Sequence, residues 1–143
     1  MVYHPWGQTT SRAKPSFDLC IHGQPISAQT KHRGRLVAWK HEVRSACQLG
    51  QPLTCGPVYL RITYYGERRG LDLDNLVKPI QDAMEGVVFR NDRQVVNIEG
   101  RYANINGRFE ARFMSAALAA AFVNGAPFIH IEVWYHPENQ DFP

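Results

Sequence analysis

The sequence of 143 residues has few cysteines and no long apolar run. Its cysteines are Cys20, Cys47 and Cys55, an odd number, and no two of them have the C-x-x-C spacing. Neither a zinc site nor a disulfide framework is therefore expected, and a reducing cytoplasm is the simplest compartment. The longest apolar run, 113–123, is too short to span a bilayer. Residues 1–15 lack the apolar segment of a signal peptide.

The charge of the chain is only mildly unbalanced, with 16 Lys and Arg against 13 Asp and Glu and a formal net charge of +3. This small excess is compatible with nucleic acid as a partner but does not establish it. The histidines are scattered, and none has a partner at metal-binding spacing. The aromatic residues Trp39, Tyr59, Tyr64 and Trp134 are most simply part of the core.

Hydrophobic periodicity predicts the order strand, helix, strand, helix, strand, helix, strand. The predicted strands begin at Phe17, Val58, Val95 and Phe128, and the predicted helices cover 36–49, 75–88 and 108–123. This order favours one α+β domain with a mixed, largely antiparallel sheet and helices packed on one face. The domain is expected to cover 17–136, between loose tails at 1–16 and 137–143.

The most informative segment is DLDNLVKP at 72–79. If the segment is extended, Asp72 and Asp74 project to the same side, roughly 6–7 Å apart. Two carboxylates placed in this way can share one hard cation, because such ions prefer oxygen ligands. Alternatively, Asp74 or Asn75 simply caps the helix that follows. The same helix is expected to carry Pro79 in its first turn, where the missing N–H costs least.

Two further residues favour the metal interpretation. Lys78 lies one helical turn after Asp74, and Asp92 lies in the polar loop NDRQ at 91–94. Carboxylates can hold Mg²⁺, which polarises a phosphoryl oxygen and activates water. A lysine beside them can stabilise the charge that develops on the phosphate. The segment therefore predicts a metal-dependent nuclease.

The stretch DLDNLVKPIQDAMEGVVFRNDRQV at 72–95 resembles the signature of the RusA-type Holliday junction resolvases, also called crossover junction endodeoxyribonucleases. Residue type and spacing agree with the family pattern at Asp72, Asp74, Asn75, Lys78, Asp82, Gly86, Asp92 and Val95. The resemblance covers 17–105 and the last strand. The chain departs from the pattern at Asn91, where many members have the first Asp of a pair. It also departs at 108–123, which resembles a helical insertion.

The resemblance implies a homodimeric, Mg²⁺-dependent enzyme, with Mn²⁺ as the alternative ion, that makes paired symmetric nicks in a four-way DNA junction during recombination and repair. It assigns metal binding to Asp72, Asp74 and Asp92, and catalysis to these carboxylates together with Lys78. Asn75 and Asp82 are expected to lie next to these residues and to orient them without binding the metal. The resemblance also implies a cytoplasmic protein encoded by a bacterium or phage, with no membrane partner and no small-molecule cofactor.

Basic residues flank the carboxylate segment. Those expected to contact DNA phosphates are Lys31, Arg33, Arg35, Lys40, Arg44, Arg68 and Arg69. A solvated helix face is the alternative for 31–44. Two alternatives also remain for the function: a non-catalytic protein that binds DNA structures, and a nuclease of the same chemistry that acts on flaps or forks. The intact acidic residues argue against the first, since a binder gains nothing from acids that face phosphate.

Overall fold

The computed structural model describes residues 2–3, 9–10, 14–48, 55–67 and 72–135. Within the segment expected to be a loose tail, β1 (Val2–Tyr3) pairs with β2 (Thr9–Thr10) in a short antiparallel ladder. The expected C-terminal tail at 137–143 lies outside the described residues. No helix in the described part of the chain is long and apolar enough to cross a membrane.

The centre of the domain is a four-stranded sheet. Its strands are β3 (Phe17–His22), β4 (Val58–Gly66), β5 (Val95–Asn104) and β6 (Phe128–Tyr135). Their spatial order is β3-β6-β4-β5, with β6 antiparallel to both of its neighbours and β4 parallel to β5. This confirms the expected α+β fold with a mixed, largely antiparallel sheet.

Three α-helices complete the described domain: α1 (Arg33–Cys47), α2 (Leu73–Met84) and α3 (Ala116–Asn124). The α2 helix provides the crossover that a parallel strand pair requires, here between β4 and β5. It packs beside α1, and the two helices bury one face of the sheet. Core residues of this layer include Trp39, Val43, Leu60, Ile62, Ile80, Met84, Ile131 and Val133. The four aromatic residues expected in the interior are all buried.

The first helix begins and ends earlier than predicted. Periodicity places it at 36–49, whereas α1 covers Arg33–Cys47. The carbonyl oxygen of His32 accepts hydrogen bonds from the backbone N–H groups of Arg35 and Leu36, so the basic run forms the first turn. The exposed residues of that turn carry no apolar period, and the hydrophobic pattern therefore does not reveal them.

The third helix is shorter than predicted. Instead of a continuous helix over 108–123, the chain forms a 3₁₀ turn at Ala111–Phe113 and then α3. Ser115 fixes the start of α3, because its hydroxyl oxygen accepts a hydrogen bond from the backbone N–H of Leu118. Gly125 ends it in the left-handed conformation, with φ of 82°.

The expectation that all helices pack on one face is wrong, because α3 covers part of the opposite face. Phe122 of α3 contacts Tyr65 and Phe128, with ring centroids 5.1 Å and 5.3 Å away. The hydroxyl of Ser115 also donates a hydrogen bond to Asp18 of β3 at 2.7 Å. Tyr65 and Phe128 stack on each other at 4.8 Å on this second face. Their apolar rings require a cover, and α3 supplies it.

Candidate active site

The acidic segment begins the helix instead of extending the strand. Asp72 is the N-cap of α2: its Oδ1 accepts a hydrogen bond from the backbone N–H of Asp74 at 3.1 Å. Its Oδ2 accepts another from the side-chain amide of Asn75 at 3.0 Å. Asp74 already lies in the first helical turn. The extended arrangement of the two carboxylates is therefore wrong; both sit instead at a helix N-terminus, where negative charge is favourable.

Pro79 lies inside α2 and not in its first turn as expected, because capping by Asp72 starts the helix at Leu73. A proline has no N–H to give to the carbonyl four residues earlier, which here belongs to Asn75. That carbonyl instead accepts a hydrogen bond from the backbone N–H of Ala28 at 2.8 Å. The segment before α1 is thereby attached to the start of α2.

One face of α2 carries alternating charges. Asp74, Lys78 and Asp82 are four residues apart and therefore share a face. The Nζ of Lys78 donates a hydrogen bond to Oδ1 of Asp82 at 2.9 Å. That hydrogen bond and the charge of Asp82 raise the pKa of Lys78, and the charges of Asp92 and Glu85 add to the rise. The lysine is therefore a firmly cationic group on this face.

Asp92 lies in a tightly built turn, the 3₁₀ segment Asp92–Gln94. The side chain of Asn91 accepts a hydrogen bond from the backbone N–H of Arg93 at 2.9 Å, and that of Gln94 accepts one from the N–H of Asn91 at 2.9 Å. This is a capping box. Gln94 also donates to the carbonyl of Gly56 at 2.8 Å, which fixes the turn against the start of β4.

Glu85, which the sequence analysis does not single out, contacts Asp92 directly. Its Oε2 accepts a hydrogen bond from the backbone N–H of Asp92 at 2.9 Å. The Oδ1 of Asp92 is shielded from solvent and has no hydrogen-bond partner in the described part of the chain. Burial raises the pKa of Asp92, and the charge of Glu85 raises it further, against the opposing charge of Lys78. A carboxylate oxygen without a partner is a ready ligand for a hard cation.

Lys78, Asp82, Glu85 and Asp92 are therefore brought together by the fold, whereas Asp72 is held at the other end of α2. The helix has 12 residues and is roughly 18 Å long. Within the described ranges, no three His, Cys, Asp or Glu residues are placed so that they could hold a metal ion. The described chain therefore does not gather Asp72, Asp74 and Asp92 into one preformed site, and metal binding by these three residues together stays a prediction. The donor atoms, all carboxylate oxygens, suit a hard divalent cation.

A comparison with families of known proteins decides the class of the enzyme. The sequence model of the family described as "Endodeoxyribonuclease RusA" matches residues 24–133, which is most of the chain. The chain belongs to the RusA endodeoxyribonuclease family. A search of curated proteins finds no match. RusA enzymes are endonucleases that resolve Holliday junctions in recombination and repair, and they generally depend on a divalent metal. The predicted family and enzyme class are confirmed.

In this RusA chain, α1 and α2 run side by side in the same direction. The Nζ of Lys40 lies 3.7 Å from Oδ2 of Asp82. One turn further along both helices, the guanidinium of Arg44 lies over Gly86, with Nη2 3.1 Å from the position that a Cβ would take there. The basic side of α1 therefore borders the charged face of α2.

Of the other basic residues expected to contact DNA, three lie at the surface and two lie outside the described residues. Lys31, Arg33 and Arg35 are exposed at the start of α1, the end that the Ala28–Asn75 hydrogen bond attaches to the start of α2. Arg68 and Arg69 lie outside the described residues. Of the contacts that sequence reasoning missed, only the Asn91–Gln94 capping box had a readable signal, in its spacing. Glu85 meets Asp92 only because the chain turns back at Glu85–Phe89.

Proposed function

We propose that this RusA nuclease uses Mg²⁺ to hydrolyse phosphodiester bonds at four-way DNA junctions, with Asp92 as the ligand that the geometry favours and with Asp72 and Asp74, at the start of α2, as the further ligands that the sequence pattern predicts. The observation that carries the proposal is the state of Asp92. Its Oδ1 is shielded and lacks a hydrogen-bond partner in the described structure, and burial together with the neighbouring charge of Glu85 raises its pKa. A divalent cation would give this oxygen a positively charged partner, and Mn²⁺ suits the same oxygen donors as Mg²⁺ does.

The residues of α2 take distinct roles in this proposal. When bound, the cation polarises the phosphoryl oxygen and supplies an activated water. Lys78 donates hydrogen bonds from Nζ to the phosphate and stabilises the negative charge that develops there. Asp82 holds Lys78 on this face through the 2.9 Å hydrogen bond. Asn75 fixes Asp72, and the products carry 5′-phosphate and 3′-hydroxyl ends.

The DNA backbone is proposed to run along α1. Five basic residues lie on this helix or just before it, beside the charged face of α2: Lys31, Arg33, Arg35, Lys40 and Arg44. Cations in this position neutralise phosphates and release counterions, which drives binding of any DNA sequence. Arg68 and Arg69 belong to the same proposal through their place in the sequence before Asp72. A homodimer supports the paired nicks, because two symmetric sites match a roughly two-fold junction.

Replacement of Asp74 by Asn tests the metal assignment. The variant removes a negative charge with little change of shape, and the cap is retained because Asp74 contributes only its backbone N–H to Asp72. Without this charge the metal-bound transition state loses several kcal/mol of stabilisation, and each 1.4 kcal/mol lowers the rate about tenfold. We therefore expect the cleavage rate to fall by about two orders of magnitude or more. Junction binding should be unchanged. The assay uses a labelled synthetic junction and a linear duplex, with Mg²⁺ or with chelator.

The matched control is Glu110→Gln, an exposed carboxylate beside Arg112 and ahead of α3, which should cut at the wild-type rate. Paired symmetric nicks on the junction alone, dependent on metal, would support the proposal. Cleavage by D74N at the normal rate would show that the metal assignment is wrong. Faster cutting of flaps or forks would move the substrate to other branched DNA. Tight binding without cutting in any metal would favour a structure-binding role.

A further inference from the structure

Glu85 lies where the catalytic helix ends and the chain turns back towards Asp92. It is the C-cap of α2, with extended backbone angles, and a short bridge pairs it with Phe89. The backbone N–H of Gly86, which has a positive φ of 84°, donates to the carbonyl of Phe89 at 2.7 Å. This tight reversal places the Glu85 carboxylate beside the turn that carries Asp92.

Glu85 contacts Asp92 through a hydrogen bond to its backbone, and the two carboxyl groups also interact with each other. Because Glu85 accepts the hydrogen bond of the Asp92 N–H, it fixes the main chain of Asp92. The capping box of Asn91 and Gln94 holds the same turn from its other side. Between these supports, Oδ1 of Asp92 is the atom left without a partner in the described structure.

We infer that Glu85 is a positioning residue of the nuclease: by holding the Asp92 main chain, it aims the Asp92 carboxylate at the divalent cation. The inference rests on the proposed function and deepens it, because it assigns a role to a residue outside the three proposed ligands. Residues that orient metal ligands typically change metal affinity by about 10–100-fold when they are removed. Glu85 is expected to act in that range.

Two variants separate positioning from charge. Glu85→Ala removes the hydrogen-bond acceptor, whereas Glu85→Gln keeps an acceptor oxygen and removes only the negative charge. Glu110→Ala is the matched control, since it deletes an exposed carboxylate that lies beside Arg112 and ahead of α3. In the full-length protein, the experiment measures hydrogen exchange of the Asp92 amide, Mn²⁺ binding without DNA, and junction cleavage as a function of Mg²⁺ concentration.

If Glu85 positions Asp92, Glu85→Ala speeds exchange of the Asp92 amide. It also raises the Mg²⁺ concentration needed for half-maximal cleavage by about tenfold or more, and weakens Mn²⁺ binding in parallel. Rates at saturating Mg²⁺ recover most of their value. Glu85→Gln keeps the amide protected and changes the metal requirement much less than Glu85→Ala does. Glu110→Ala changes none of the three measurements.

Two results would overturn the inference while leaving the nuclease proposal intact. One is a Glu85→Ala variant that cuts the junction with the wild-type Mg²⁺ requirement. The other is a Glu85→Gln variant as impaired as Glu85→Ala, which would make Glu85 a charged ligand and not a positioning residue. A wild-type chain that neither binds Mn²⁺ nor cuts a junction in Mg²⁺ would instead overturn the proposed function and this role with it.

Discussion

Arg61 of β4 contacts two carboxylates and one aromatic ring on the sheet face that α3 partly covers. Its Nε donates to Oε2 of Glu99 at 2.8 Å, its Nη1 lies 3.7 Å from Oε1 of Glu132, and its guanidinium lies over the ring of Trp134. Burial acts to raise the pKa of Glu99, but the hydrogen bond and charge of Arg61 outweigh it. The pKa of Glu99 therefore lies below its usual 4.5.

This lowered pKa makes a prediction about stability and pH. A carboxyl group whose pKa is lower in the folded than in the unfolded chain stabilises the fold above the unfolded pKa. That contribution disappears as the pH falls through the folded pKa. Glu99→Gln should therefore melt at a lower temperature than wild type at pH 7, and the difference should close towards pH 3. The effect will be small, because the Glu99 side chain is 38% exposed and solvent screens the pair.

The control for this prediction is Glu110→Gln, which breaks the ion pair of Glu110 with Arg112. Both side chains of that pair are largely exposed, so the melting temperature should not change at either pH. Equal differences between Glu99→Gln and wild type at pH 7 and pH 3 would mean that packing, and not the charge of Glu99, sets the change.

At the scale of elements, the packing of β5 against α2 depends on Gly100. A Cβ at this position would lie 2.9 Å from Cγ2 of Val77 and 3.7 Å from Cβ of Leu73. Gly100→Ala should therefore overpack the interface and lower the free energy of unfolding by about 1–3 kcal/mol. Urea denaturation measures the loss.

A size exchange checks the cause. Val77→Ala makes room for the new methyl group, so the double variant with Gly100→Ala should be more stable than the sum of the two single changes predicts. Simple additivity would contradict the assigned contact. The rate of junction cleavage should rank these variants in the same order as their stability does, because Val77 lies on α2 next to Lys78.

The elements differ in how far the sequence predicts them. Alternation predicted β4 to within a residue, because every second side chain of this strand, from Val58 to Tyr64, packs into the hydrophobic core. Helix starts were harder: the exposed first turn of α1 carries no apolar signal, and the cap at Asp72 looks the same in sequence as the end of a strand. The link from Glu85 to Asp92 could not be predicted, since it depends on a turn that only the packed chain defines.

At the scale of the whole molecule, the basic side of α1 predicts how binding depends on salt. Arg35 is exposed at the start of this helix. If it contacts a phosphate, Arg35→Ala should weaken binding of every DNA sequence alike and reduce the slope of log K against log salt by about one. Arg112→Ala, near the start of α3, is the control and should leave the slope unchanged. An unchanged slope for Arg35→Ala would place the DNA elsewhere.

The proposed homodimer can be tested with subunits of two kinds. Wild-type chains mixed with tagged D74N chains should form mixed dimers that carry one working site. Such dimers should nick one strand of a junction and leave its symmetric partner intact, because each site serves one strand. Paired nicks from isolated mixed dimers would show that one site cuts both strands. A monomeric active form in sedimentation experiments would contradict the dimer itself.

Pro79 leaves the carbonyl of Asn75 free to accept the hydrogen bond of the Ala28 N–H, and this has a consequence for sequence variation. Because the bond joins two backbones, most side chains at position 28 leave it possible, so this site can diverge without loss of the attachment. Position 79 has no such freedom: any other residue restores an N–H that competes for the same carbonyl. Pro79, which lies inside α2, thus also couples this helix through the backbone alone to the segment that leads into α1.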